Sequence, residues 1–365
     1  MNLKSQEAGA MSTSDASLAS PLPVFRNAQA WYGPDMSRQS DWIHVFSSAE
    51  IEEISAAVSI ADRSGLDFID LGREHFPLPA LSAKLHALRG EALQGRGFAL
   101  LRGLPVEHMS LRSAALAYWG LGLYLGEAVS QNGKGHVLGH VKNLGLDLAD
   151  PEVRGYQTTA RLNFHCDFAD LVCLLCLKTS KAGGLSTIVS STTLWNEMVH
   201  RRPDFARALM LPVYYTRWGE IPDGKKHYAE MRVFTPMSGR MIAVYGRNAI
   251  NKSQGLPDVP RLGEMQIEAM DYLESLASDP RFYFDMEFRP GDVQILCNHF
   301  IFHSRTAYED WPELARRRHL MRLWLACDDG PELPPFLNEY SGITAGGRPD
   351  GIWMTGIPLN APLEA

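Results

Sequence analysis

His165 and Asp167 are the two residues of this chain best spaced to do chemistry together. They lie in Asn163-Phe164-His165-Cys166-Asp167-Phe168, just ahead of the apolar run Leu171-Val172-Cys173-Leu174-Leu175-Cys176-Leu177. That run has the length and composition of a buried β-strand, so the pair stands at a strand entrance. In extended chain, residues two apart share a face. His165 and Asp167 therefore converge, while Cys166 points away. An imidazole beside a carboxylate supplies two thirds of the two-histidine, one-carboxylate set that holds iron(II) and leaves coordination positions open. A second histidine is required, far along the chain and close in space.

Asn298-His299-Phe300-Ile301-Phe302-His303-Ser304-Arg305 offers two. The even separation of His299 and His303 lets both share a strand face, so periodicity leaves them equal. The chain that follows favours His303, with His299 as a structural neighbour. Further on, in Arg316-Arg317-Arg318-His319-Leu320-Met321-Arg322-Leu323-Trp324-Leu325, residues Arg318, Leu320 and Arg322 fall on one face at strand period. Two guanidinium groups directed into a barrel mouth are costly to bury without an anion. An anionic ligand removes that cost.

The elements that must position these residues can be traced from the same chain. Ser47 and Glu50 have capping-box spacing ahead of Ile51, Ile54, Ala57, Val58 and Ala61, and Gly65 ends that helix. A second helix fits Ala80 to Gln94 and a third runs from Ser110 to about Tyr124, with a short strand between Gly97 and Pro105. From Gln131 onward the texture is of short strands and turns, including a hairpin across Pro236-Met237-Ser238-Gly239-Arg240 and strands on either side of Arg289-Pro290-Gly291-Asp292. Helical passages interrupt at Thr193 to Met210, broken by Pro203, and at Pro260 to Ser278. The expected class is α+β, mainly β: a jelly roll with helices on its flank.

Composition limits the function. With 365 residues, 45% of them apolar, the chain can bury a large core. The expected organisation is a disordered leader over residues 1–20, without the apolar segment of a secretory signal, and one domain over 21–365. A formal charge of −7 argues against a nucleic-acid partner, and no apolar run reaches membrane-spanning length. Five cysteines, without framework spacing, fit a reducing cytoplasm better than a secreted scaffold. Cys173 and Cys176 lie inside the apolar strand with no second pair, which favours core packing over a redox or zinc site. The partner expected is a small molecule, and self-association into a homo-oligomer is left open.

Roughly from Gly97 to Leu325 the chain resembles the taurine dioxygenase and clavaminate synthase-like iron(II)- and 2-oxoglutarate-dependent oxygenases. His165-x-Asp167 resembles the proximal metal pair of that family, and His303, in a His-Ser-Arg-Thr-Ala context, resembles its distal ligand. Lys181-Ala182-Gly183-Gly184-Leu185-Ser186-Thr187 resembles the segment whose hydroxyl residue touches the cosubstrate, a position held here by Ser186. Arg322 resembles the arginine that clamps the distal carboxylate of 2-oxoglutarate from across the cavity, and Arg318 its partner near the other carboxylate. The resemblance implies a double-stranded β-helix core, the cofactor iron(II), and the cosubstrates 2-oxoglutarate and O2. It also implies oxidation of an unactivated C–H bond, hydroxylation by default, with release of succinate and carbon dioxide. A carboxylate at position 167, where family halogenases carry a small residue, implies no halogenation.

Substrate contacts are expected from Gln131 and Asn132 in their turn, Arg161 and Asn163 before the metal pair, and Arg247 after the hairpin. Arg161 and Arg247 facing the cavity would select an anionic or amino-acid-derived metabolite; a surface ion pair is the other reading of Arg247. The polar stretch from Trp218 to Tyr228 is the expected lid. Two other functions fit parts of the pattern. A jelly-roll sensor or scaffold would bind metal or 2-oxoglutarate without turnover, and a zinc hydrolase would have no use for Arg318 and Arg322.

Overall fold

The computed structural model describes residues 21–146, 154–340 and 342–364, so the expected leader lies outside the described residues. In chain order the elements that build the site are β1 (Ile43–Val45), α1 (Ser48–Ser64), α2 (Leu81–Gln94), β2 (Phe98–Arg102) and α3 (Leu111–Leu125). Then come β3 (Glu127–Ala128), β4 (Leu138–Val141), β5 (Leu162–His165), β6 (Leu171–Lys178), β7 (Ser186–Ser190), α4 (Ser191–Arg201) and α5 (Pro203–Ala208). After them follow β8 (Val213–Thr216), β9 (Tyr228–Met231), β10 (Phe234–Met237), β11 (Arg240–Ala243), α6 (Arg247–Ser253) and α7 (Glu264–Ala277). The last are β12 (Tyr283–Met286), β13 (Val293–Cys297), β14 (Ile301–Arg305) and β15 (His319–Ala326).

Local sequence accounts for the helix boundaries. Ser47 Oγ accepts from the Glu50 amide and the Glu50 carboxylate accepts from the Ser47 amide at 2.8 Å, which satisfies two end donors of α1 reciprocally. Gly65 closes the helix at φ 67°, a left-handed conformation that a side chain would strain. Ile54, Ala57, Val58 and Ala61 form its buried stripe. Ser110 and Ser190 cap α3 and α4 by accepting from the amides of Ser113 and Thr193, without the reciprocal bond.

Two sheets carry the site. The larger, seven-stranded among the described residues, runs β1-β2-β13-β6-β15-β3, with β4 also paired to β15. Only β1–β2 is parallel. The smaller runs β12-β7-β14-β5, antiparallel throughout. The continuous apolar run of β6 is explained by its place between β13 and β15, where nearly every side chain is buried.

The expected hairpin forms with a shorter turn. Pro236 stays in β10 opposite Met241, and the chain reverses over Ser238 and Gly239, whose φ values are 47° and 75°. Two positive-φ residues make the tight turn whose twist matches the strands. No helix among the described residues is long and apolar enough to cross a membrane.

Candidate metal centre and its cavity

Strand pairing brings the first two ligand candidates together. His165 ends β5 and is the direct cross-strand partner of His303 on β14, their ring centroids 4.3 Å apart. Asp167 follows two residues later, and one ligand atom from each of the three lies within 4.8 Å of the others. His165 Nδ1 donates to the Asn163 carbonyl at 2.8 Å, which fixes the tautomer and leaves the Nε2 lone pair free to bind. His303 is buried, and its Nδ1 has no hydrogen-bond partner. Burial, and then the neighbouring His165, push its pKa down to about 3, so the ring is a neutral ligand-ready imidazole. Asp167 stays ionised: burial disfavours its charge, but Arg322 leads the opposing interactions and its pKa lies below the usual carboxylate value. Two donors meet its Oδ2, Trp324 Nε1 at 2.7 Å and Arg322 Nη1 at 3.3 Å, while Asn298 Oδ1 accepts from its backbone amide at 3.0 Å. Two imidazoles and one oriented carboxylate fit iron(II). His299, the other histidine considered, sits in the turn before β14 and bonds Asp170 instead.

A cavity of about 630 Å³ opens between the two sheets over this cluster. Arg318 and Arg322 both line it, but not as the sequence suggested: Arg322 stands beside Asp167 rather than across the cavity. Gln131 holds it there, accepting from Arg322 Nε at 2.8 Å and donating to the Arg322 carbonyl at 2.9 Å. Arg318 lies apart, buried, with Nη1 unpartnered. Ser186 lines the cavity and shares its hydroxyl with Gln294 at 3.1 Å. The paired glycines have distinct tasks. A Cβ on Gly183 would meet the Ala307 carbonyl at 2.2 Å, and one on Gly184 would meet Arg318 Nε at 3.1 Å, at φ 73°. Gly184→Ala, whose Cβ would also meet Ser180 Oγ at 2.8 Å, is therefore expected to cost about 1–2 kcal/mol of stability from backbone strain. Thermal denaturation checks it.

The chain matches the family described as taurine catabolism dioxygenase TauD, TfdA family, over residues 62–324. It belongs to that family. FR-33289 synthase of Streptomyces rubellomurinus is 30% identical over 330 residues, 87% of this chain and 95% of that protein. The taurine hydroxylase-like protein SAT17 of Stachybotrys chartarum is 27% identical, covering 85% of this chain and 82% of its own. Among solved structures, asparagine oxygenase with Fe(II), 3-hydroxyasparagine and succinate superimposes with a TM-score of 0.59 at 16% identity, over 78% of this chain and 93% of that one. The non-heme iron oxygenase OrfP with Fe and α-ketoglutaric acid gives 0.58 at 13%, over 78% and 94%. The two structures share the fold, a mixed α/β arrangement around a large sheet. As a TauD/TfdA-family member the chain is an iron(II)- and 2-oxoglutarate-dependent oxygenase, an oxidoreductase that takes O2 as its other cosubstrate.

The substrate side of this TauD/TfdA-family cavity corrects several expectations. Gln131 is buried against Arg322 and does not line the cavity; a polar turn residue has been folded inward as a brace. Asn132 spends its side chain on its own turn, accepting from the Lys134 amide at 2.9 Å. Arg161 is exposed and outside the lining. Asn163 and Arg247 do line it. Arg247, first residue of α6, donates to Asp271 at 2.7 Å and to Asn251 at 3.1 Å, so it both forms the ion pair and faces the cavity. Trp218, at the start of the expected lid, also lines the cavity, and Glu220 ties that loop to Arg154 and to the Gly133 amide.

Four residues went unnoticed in the sequence. Trp324 is two beyond Arg322 and Arg305 two beyond His303, so strand period alone puts each on the functional face. Arg154 comes from irregular chain and Tyr340 from a four-residue helical turn, Leu337–Tyr340, and neither carries a comparable signal; Tyr340 stacks on Phe168 with centroids 3.7 Å apart.

Proposed function

We propose that the protein hydroxylates an unactivated C–H bond of a small anionic or amino-acid-derived metabolite, with His165, Asp167 and His303 holding iron(II). The two sheets flanking the cavity support reading the core as a double-stranded β-helix, a jelly roll, in one domain over residues 21–365. The observation that carries the substrate class is the charge of the lining. Arg154, Arg247, Lys252, Arg305, Arg318 and Arg322 contribute to it against the single lining carboxylate of Asp167; Glu220 and Asp271, behind the lining, pair with Arg154 and Arg247 and reduce the surplus without removing it. Such a field concentrates anions before any contact is made. The hydroxylated amino acids in the asparagine oxygenase and OrfP structures agree with the amino-acid half of this reading.

Within the site, the places of the two arginines support exchanging their expected tasks. Arg318, which lines the same cavity as Ser186 and has an unpartnered Nη1, would take the distal carboxylate of 2-oxoglutarate. Arg322 would serve the metal side, fixing Asp167 and lying near the 2-oxo acid end. Bound iron(II), with 2-oxoglutarate and O2, supplies the oxidising power that removes hydrogen from a C–H bond, with release of succinate and carbon dioxide. The chain's part is placement: Trp324 and Arg322 orient Asp167, Asn163 sets the His165 ring, and the apolar walls Val172, Leu174 and Phe288 exclude water.

The test is a screen of amino acids, other carboxylates and sulfonates, with neutral and cationic compounds alongside, for substrate-dependent succinate release. Anionic compounds are expected to raise release well above the uncoupled rate. Arg247→Ala is then expected to raise the KM of the best substrate about tenfold or more, the worth of one charge-assisted contact. Stimulation only by neutral or cationic compounds would remove the anionic reading.

A further inference from the structure

We infer that Arg305 is a second cationic residue of the cosubstrate pocket, working beside Arg318 to select a 2-oxo acid with a distal carboxylate over one without. The inference rests on the proposed placing of that carboxylate near Arg318. Arg305 ends β14, two residues beyond His303 on the same strand face, and its Cα partner across the sheet is Ser186. Its guanidinium is buried. Nη2 donates to the Thr158 carbonyl at 2.9 Å and to that of Ala160, but Nε and Nη1 have no partner. Arg318 shows the same deficit at Nη1.

The two cations flank one ring. Arg305 Cζ is 4.7 Å from the centroid of Tyr308 and Arg318 Cζ is 5.2 Å from it. One carboxylate is near: Asp310, whose Oδ1 accepts from the Arg318 backbone amide at 2.8 Å and whose Oδ2 has no partner. Two guanidinium charges against one carboxylate leave a surplus of one positive charge in a buried, cavity-lining position. Burying like charges is unfavourable unless an anion joins them, and a single ligand carboxylate neutralises this surplus. Arg322 is not available for the task, since Asp167 already faces it. A metal-bound 2-oxo acid extends away from the ligand triad, and Arg305, Arg318 and Ser186 all line the same cavity.

The experiment uses the full chain loaded anaerobically with iron(II), titrated calorimetrically with 2-oxoglutarate and with 2-oxopentanoate, which replaces the distal carboxylate by a methyl group. Wild type is expected to prefer 2-oxoglutarate by about 100-fold or more. Arg305→Met is expected to weaken 2-oxoglutarate binding about 10- to 100-fold, the usual worth of hydrogen bonds to a charged group, and to leave 2-oxopentanoate within about threefold. Arg305 also holds two loop carbonyls, so Arg305→Lys, which keeps the charge, is measured beside it and is expected to retain part of the preference. Unchanged 2-oxoglutarate affinity in Arg305→Met overturns the inference, as does an equal loss for both acids. If Arg305→Met does not fold, Arg305→Gln, which removes the charge and keeps polar reach, takes its place, and unchanged 2-oxoglutarate affinity there overturns the inference. Wild type that binds both acids equally would instead sink the placing of the carboxylate near Arg318, a separable outcome.

Discussion

His303→Ala should yield a folded protein that neither retains iron(II) nor releases succinate. The expected loss in turnover is at least about 1000-fold, which corresponds to roughly 4 kcal/mol of transition-state stabilisation. This substitution isolates the metal role better than its alternatives. The imidazole is neutral, its pKa held at about 3, and its Nδ1 bonds nothing, so its removal leaves no stranded charge and no orphaned partner. Asp167→Ala would be less clean, because Arg322 and Trp324 Nε1 both donate to the carboxylate that disappears. Trp324→Phe provides the graded comparison. It removes one hydrogen bond of 2.7 Å that orients a ligand, and about a 10- to 100-fold loss of activity or iron affinity is the usual consequence. Iron analysis after anaerobic loading, circular dichroism and succinate release measure all three quantities. A His303→Ala protein that still carries stoichiometric iron would remove the basis of the proposed function.

How far the sequence could be read follows from which interactions are local. The capping box at Ser47 and Glu50, the stop at Gly65 and the apolar strand 171–177 are written in adjacent residues, and the structure bears each out, the strand running one residue further. The pairing of His165 with His303 is not local, yet it could be anticipated because iron(II) chemistry demands a third ligand and few histidines have a suitable context. Where only strand period was needed, as for Arg305 and Trp324, the signal was present and unused. Gln131 was misjudged for a different reason. A Ser-Gln-Asn-Gly turn reads as solvent-facing, and only the packing against β15 turns that side chain inward to the Arg322 backbone. The short helix α6 lacks a capping side chain at Gly246 and so left no start signal. The C-terminal segment has no periodicity, although Tyr340 and Ile352 reach the cavity.

That same segment depends on one carboxylate that no motif announces, and Asp170→Ala is expected to be strongly destabilising. Asp170 is fully buried. Its Oδ1 meets His299 Nε2 at 2.8 Å and Arg348 Nη2, while its Oδ2 accepts from Arg348 Nε at 2.9 Å and from the Cys327 amide at 2.8 Å. Truncation would strand a buried guanidinium and a buried amide, at about 3–5 kcal/mol, lowering Tm by on the order of 5–10 °C. Arg348→Met should cost a comparable amount by leaving the carboxylate unmatched. The double variant should cost clearly less than the two together, because each single change already loses the pair. Strict additivity in chemical denaturation would show that the ion pair is not the unit of stability. Acid gives an independent check. Burial raises the Asp170 pKa, but bonds from His299 and Arg348 outweigh it and hold the group at about 2, below the ordinary value of 3.8. A carboxyl lowered on folding stabilises the native state fully above its unfolded pKa and loses that contribution as pH falls toward the folded one. The wild type should therefore lose about 2 kcal/mol between pH 4 and pH 2 from this group, and the Asp170→Ala protein should show a shallower decline over the same interval.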